Sequence, residues 1–215
     1  MTINRRRFAT GVLASVATSL WASSTAAPQG AADSTPARIV VFVGGSIFYR
    51  WTNLSRQMAP LPILNRAFDG AMTFDMLRLV DSVAGGRPRV IVYYAGSNDV
   101  DAGEPAGDIF DRIRQFMVRV WTASPATRVI FVSINRAPEK QERWPIVDDV
   151  NRRVQAYGIE DKRLEYIDVN PLLFDRDGRP RFDLYLPDQL HLRPPAYDAF
   201  AQVLKPILTR AFEKP

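Results

Sequence analysis

The sequence predicts an α/β fold: one parallel sheet covered by helices on both faces. Three observations carry that expectation. Short apolar runs rich in β-branched residues recur at 38–43, 89–94 and 128–134. None of these runs alternates with polar residues, so each is a strand buried on both sides. Between them lie segments whose apolar residues fall at helical spacing, as crossovers between parallel strands require.

Taken in order, the first strand occupies 38–43 and is stopped by Gly44 and Gly45. A short second strand is expected at 61–64 and a helix over 72–80. The strand at 89–94 ends before Gly96. Residues 108–121 form an amphipathic helix, because Ile109, Ile113, Phe116, Met117 and Val120 share a face, with Asp108 as its N-cap. After the strand at 128–134 come a helix over 145–157 and a last strand at 164–168. Asp175-Arg176-Asp177-Gly178 reads as a turn, and 195–212 as a closing helix kinked at Pro206. No internal repeat and no second set of hydrophobic periods is present, so 38–215 is expected to be one domain.

The first 27 residues read differently. Arg5, Arg6 and Arg7 precede an apolar stretch over 8–22, and small residues fill 23–27. A basic start, a short apolar middle and a small-residue end form an export signal. Arg5-Arg6-Arg7-Phe8 also resembles the twin-arginine export signal, which would imply a bacterial protein exported already folded to the periplasm or beyond. The apolar stretch falls short of the roughly 20 residues a spanning helix needs, so no permanent membrane anchor is expected. Residues 28–37, rich in Ala, Pro, Gly, Ser and Thr, read as a tether.

Composition narrows the function. The chain has no cysteine, which removes disulfides, thiolate metal sites and a cysteine nucleophile together. Of 28 basic residues, three lie in the signal, leaving 25 against 23 acidic ones. With no block of like charge, nucleic acid is not an expected partner. A hydrophobic fraction of 47% is enough for a core that needs no staples.

In open parallel sheets, ligands bind beyond the carboxyl ends of the strands. Four polar clusters follow strand ends or lie late in the chain: Gly44-Gly45-Ser46, residues 65–70, Gly96-Ser97-Asn98-Asp99, and Asp188-Gln189-Leu190-His191. Ser46 after two glycines is either an exposed nucleophile or a helix N-cap. A serine hydroxyl needs a base, and His191 is the only histidine. If 188–191 makes one turn, Asp188 lies beside His191 and can fix its tautomer. The alternative reading of the pair as half a metal site fails, since the chain has no further His or Cys to complete one, so no metal or other cofactor is expected. Asn98 is either an oxyanion donor, with the N–H groups of Ser46 and Gly70, or an Asx turn.

Together these residues resemble the SGNH (GDSL-type) hydrolase family, whose four blocks supply Ser, Gly, Asn and His. Ser46 in Gly44-Gly45-Ser46-Ile47 matches the first block and Gly70 the second. Asn98 matches the third, and Asp188 with His191 the fourth. The family usually carries Asp where Gly45 stands and often Gly where Ala67 stands. The resemblance covers about 38–213 and implies a flavodoxin-like three-layer α/β/α sandwich with a five-stranded parallel sheet. It also implies a catalytic triad of Ser46, Asp188 and His191, with an oxyanion hole from Ser46, Gly70 and Asn98. The G-x-S-x-G elbow of α/β-hydrolases is absent, since Phe48 stands at the second glycine. The expected activity is that of an exported serine esterase acting on small acyl esters or acylated glycans. Tyr49, Trp51 and Trp144 are the candidate substrate-binding aromatics. The alternative is a non-catalytic or weakly active module of the same fold that binds cell-envelope glycans.

Overall fold

The computed structural model describes residues 37–213. The export signal and most of the tether expected from the sequence lie outside that range. Ala37, the last tether residue, already belongs to the first strand. Five strands, β1 (Ala37–Gly44), β2 (Ile63–Asn65), β3 (Pro88–Tyr94), β4 (Arg128–Val132) and β5 (Leu164–Ile167), form one sheet. Its order is β2-β1-β3-β4-β5 and every pairing is parallel. The fold is the three-layer α/β/α sandwich with a five-stranded parallel sheet.

The unbroken apolar strands split their side chains between two cores, as a period of two demands. Val40, Phe42, Val90, Val92, Tyr94, Ile130 and Val132 face one core. There they meet the short helices α1 (Ser46–Tyr49) and α2 (Leu54–Met58) and the final helix α7 (Pro194–Glu213). Val41, Val43, Ile91, Tyr93, Val129 and Phe131 face the other. It is closed by α3 (Thr73–Ala84), α5 (Ala106–Ala123) and α6 (Trp144–Glu160). Another short helix, α4 (Ser97–Asp101), follows β3. Among the described residues no helix is long and apolar enough to cross a membrane.

Several elements depart from the sequence expectation, each for a local reason. The second strand lies at Ile63–Asn65 rather than 61–64, because Pro62 has no N–H to give; it contributes only its carbonyl, to Val40 N–H at 2.9 Å. β4 ends at Val132, short of 134: the Ser133 hydroxyl turns to Asp168 and Ile134 N–H to the Asn151 side chain. Asp108 does not cap α5. Pro105 holds the N-cap position with φ −63°, and its carbonyl accepts from Asp108 and Ile109, leaving Asp108 in the first turn, where its charge favours the helix dipole. α7, by contrast, runs from Pro194 to Glu213 with Pro206 inside it, where the sequence places that proline.

The strand order reverses between β1 and β3. Ser46 lies two residues past the end of β1, and Asn98 lies one turn beyond β3. Where these strands end side by side the backbones nearly touch: a Cβ on Gly44 would sit 1.8 Å from Tyr94 O, and Gly44 has φ +145°. Only glycine fits there.

Candidate active site

Gly45 N–H bonds Tyr94 O at 2.9 Å, which turns the chain out of β1 and places Ser46 as the first residue of α1. Gly45, not Ser46, occupies the N-cap position, so the Ser46 hydroxyl is not engaged as a cap. It faces His191 instead: Nε2 of the ring lies 3.0 Å from Ser46 Oγ. The other ring nitrogen, Nδ1, lies 2.7 Å from Asp188 Oδ2.

The loop that carries His191 is fixed by its own backbone. Leu186 N–H bonds His191 O at 2.8 Å, Gln189 takes φ +56°, and Tyr185 bridges to Leu192. Asp188 Oδ1 accepts the N–H groups of Leu190 and His191 at 3.0 and 2.9 Å. Desolvation alone would raise the Asp188 pKa; the His191 ring and these two N–H groups outweigh it and lower the pKa to about 2. The carboxylate is then an acceptor only, so in the neutral ring the proton sits on Nδ1. That leaves the Nε2 lone pair for the Ser46 proton, the arrangement a general base requires.

Asn98 lies in α4, and its Nδ2 donates one hydrogen to Ala71 O at 2.9 Å. An amide nitrogen has two hydrogens, and the second is left for the recess beside Ser46. That recess is lined by Gly45, Ser46, Ile47, Ala71, Ser97, Asn98 and Leu190 together with Tyr94 and Ala95, and its volume is about 10 Å³. Gly70 does not line it; its neighbour Ala71 does. Gly70 is exposed at the end of the 65–70 loop with φ +74°. A Cβ on Gly45 would make only ordinary contacts, 3.5 Å from Ala71 O and from Asn98 Nδ2. Gly45 therefore departs from the usual Asp without any steric demand for glycine.

Three polar links around the site were not assigned from the sequence. Asn65 Nδ2 donates to Phe48 O at 2.9 Å and its Oδ1 accepts Ala67 N–H, tying the loop of Gly70 to the helix of Ser46. Arg50, four residues after Ser46, makes a two-pronged pair with Asp69, the residue before Gly70, at 3.0 and 3.3 Å. Asp99 is fully buried and accepts from Thr73 N–H with both oxygens, at 3.1 and 3.0 Å, and from the Thr73 hydroxyl; Arg112 completes the pairing at 3.3 Å. A buried carboxylate needs such partners. Here they lock the 71–73 segment against the residue next to Asn98. An Asp beside Asn98 in an apolar neighbourhood was the available signal; its partners are far away in sequence.

The three candidate substrate aromatics separate. None lines the recess. Tyr49 is 54% exposed, on the same helix as Ser46. Trp51 is only 2% exposed: it stacks on Tyr197 at 5.2 Å, gives its indole N–H to Gln57, and only borders a hollow of about 80 Å³ beside Arg50 and Leu192. The sequence expectation of an open binding aromatic is corrected there, because four rings of the first core surround it. Trp144 begins α6; it is half-buried, bonded to Ala137 O at 2.9 Å and set edge-on to Phe174. Among the described residues no group of three or more His, Cys, Asp or Glu is placed to hold a metal ion.

The sequence profile of the GDSL-like lipase/acylhydrolase family matches residues 23–199. The chain belongs to that family. No curated protein matches it. Solved structures of this hydrolase family share its fold. A GDSL-like lipase from Bacteroides thetaiotaomicron is 21% identical with a TM-score of 0.70, over 81% of this chain and 89% of that one. A carbohydrate esterase family 3 protein from Talaromyces cellulolyticus is 16% identical with a TM-score of 0.63, over 81% and 98%. The C-terminal catalytic domain of a peptidoglycan O-acetyltransferase from Streptococcus pneumoniae is 16% identical with a TM-score of 0.62, over 82% and 96%. This GDSL hydrolase is thus a member of a family of acylhydrolases that act on esters.

Proposed function

We propose that this GDSL hydrolase is an exported serine esterase that removes small acyl groups, acetyl above all, from an alcohol or a glycan. The observation that carries the reading is the unbroken chain from Asp188 through His191 to Ser46, at 2.7 and 3.0 Å. Ser46 Oγ attacks the ester carbonyl as its proton passes to His191 Nε2. The oxyanion is held by the Ser46 N–H and the Asn98 amide, whose residues both line the recess. His191 returns the proton to the departing alcohol, which leaves the acyl group on Ser46. Water then attacks that ester, again losing its proton to Nε2, and the acid departs as Ser46 recovers its proton. Asp188 stays ionised throughout and steadies the imidazolium.

The recess limits the size of the acyl group. About 10 Å³ is the space of a single water. A methyl group fits with slight relaxation, whereas forcing further methylenes into packed walls costs about 1–3 kcal/mol. Acetyl esters are therefore expected to exceed butanoyl esters in kcat/KM by about tenfold or more. Leu190→Ala, which removes one wall, should narrow that gap. A profile that rises with chain length would exclude the small-acyl reading. Likeness in fold to a carbohydrate esterase and to a peptidoglycan O-acetyltransferase domain favours an acetylated sugar as the alcohol side. Export is proposed from the basic and apolar pattern of residues 1–27.

A fluorophosphonate probe separates the enzyme from a binding module of the same fold. Stoichiometric labelling at Ser46 is expected, and folded protein that resists the probe would overturn the esterase reading. Asn98→Ala should lower kcat about 10²- to 10³-fold with little change in KM, as loss of an oxyanion donor does.

A further inference from the structure

Lys140 is one of the few charged residues buried in the described structure, with its side chain only 2% exposed. It lies in a 3₁₀ segment, Pro138–Arg143, between β4 and α6. Its ammonium reaches three oxygens: Ser97 O at 3.0 Å, Ser97 Oγ at 3.3 Å and Asp101 Oδ2 at 3.5 Å. The ammonium thus bonds both oxygens of Ser97 and pairs with the Asp101 carboxylate. Ser97 O belongs to the peptide that leads into Asn98, and Asp101 ends the same short helix. Arg143, three residues later, gives Nη1 to Val100 O at 2.6 Å, a second hold on that helix. From its other side the segment reaches the histidine loop, where Glu139 N–H bonds Gln189 O at 3.3 Å. Gln189 lies two residues before His191.

We propose that Lys140 is a positioning residue, which clamps the Ser97–Asn98 peptide so that the Asn98 amide faces the oxyanion while the segment that carries it is tied to the His191 loop. This rests on the esterase reading above. α4 has only five residues and few hydrogen bonds of its own, so its placement depends on what holds it from outside: the buried Asp99 pairing at its middle and the contacts at its two ends. At the start the hold is a buried cation, whose bonds to oxygen are stronger than neutral ones. Loss of the clamp should leave the fold and the substrate contacts in place but let Asn98 drift, and a displacement of about 1 Å in a catalytic group can cost about 10²-fold.

The test is Lys140→Met, which keeps an apolar chain in the buried space and removes the three donors. The expected result is a fall in kcat of about 10- to 100-fold with KM nearly unchanged. In an Asn98→Ala background the same substitution should cost less than about threefold, because its effect runs through Asn98. An equal loss in both backgrounds would show general damage and overturn the proposal, as would an unchanged kcat. Lys140→Gln, whose amide can still reach toward Ser97 O, should lie between the wild type and Lys140→Met; if the Met variant does not fold, Gln carries the test by the same comparison. A second readout is independent of activity: the side-chain NH₂ resonance of Asn98, assigned by its loss in Asn98→Ala, should shift or broaden in the Lys140 variants. An unmoved resonance would overturn the positioning role. Retained activity in Ser46→Ala would instead overturn the esterase reading, whatever the resonance does.

Discussion

Ser46→Ala is expected to lower kcat for an acetyl ester by about 10⁶-fold, with KM within a few fold of the wild type. Two parts of the structure give that magnitude. The hydroxyl is the atom to which the His191 ring is aimed, at 3.0 Å, so no second nucleophile inherits the base. The oxyanion donors and the recess survive the substitution, because Ser46 contributes its backbone N–H and not its side chain to that set. What remains should be the modest acceleration that positioning and oxyanion binding provide to water. A unit of nucleophile and base is also strongly non-additive. His191→Ala should cost about as much as Ser46→Ala, and the double variant little more than either. Active-site titration with the fluorophosphonate probe, run beside the kinetics, guards against traces of wild-type enzyme. A double variant that loses the product of the two single effects would show that Ser46 and His191 act separately, and the assignment would fail.

How much of this was legible in the sequence varies with distance along the chain. The strands were clear because their residues are apolar on both faces, and a run such as 89–94 needs no distant information. Their ends were less clear. Pro62 and Ser133 both lie at boundaries where the outcome turns on one hydrogen bond, to Val40 in one case and to Asp168 in the other. Asp188 and His191 were readable as a pair because they are three residues apart and share one turn. Ser46 is 145 residues from His191 and was readable only through the rule that strand ends converge. The supports of the site escaped altogether. Thr73 with Asp99, Arg50 with Asp69 and Lys140 with Ser97 are pairs 19 to 43 residues apart. Nothing in the local pattern of either partner names the other. Trp51 shows the reverse error: a tryptophan near a nucleophile invites a binding role, yet four rings hold it in the core.

Asp188→Asn is expected to lower kcat about 10⁴-fold while leaving the backbone of the loop in place. The amide oxygen of asparagine can take over the bonds from Leu190 and His191 N–H, now made by Asp188 Oδ1. Its NH₂ group then meets His191 Nδ1, donor against donor. The ring escapes that conflict by moving its proton to Nε2, where it blocks acceptance from Ser46. The loss should therefore fall on kcat and on the rate of fluorophosphonate labelling alike. A loss below about tenfold would mean that the tautomer is set by something else. The same carboxylate leaves a mark on stability. Its folded pKa of about 2 lies below the ordinary carboxylate range near 4, so between those values the unfolded chain binds more protons. The ionised Asp188 therefore stabilises the fold in full above about pH 4, and that contribution disappears as pH falls through about 2. Its side chain is 46% exposed, so solvent screening keeps the effect small. Thermal unfolding at stepped pH should show the wild type holding its advantage over Asp188→Asn above pH 4 and losing it toward pH 2. An advantage that grows on acidification would contradict the bonding of Asp188 to His191, and with it the tautomer on which the base depends.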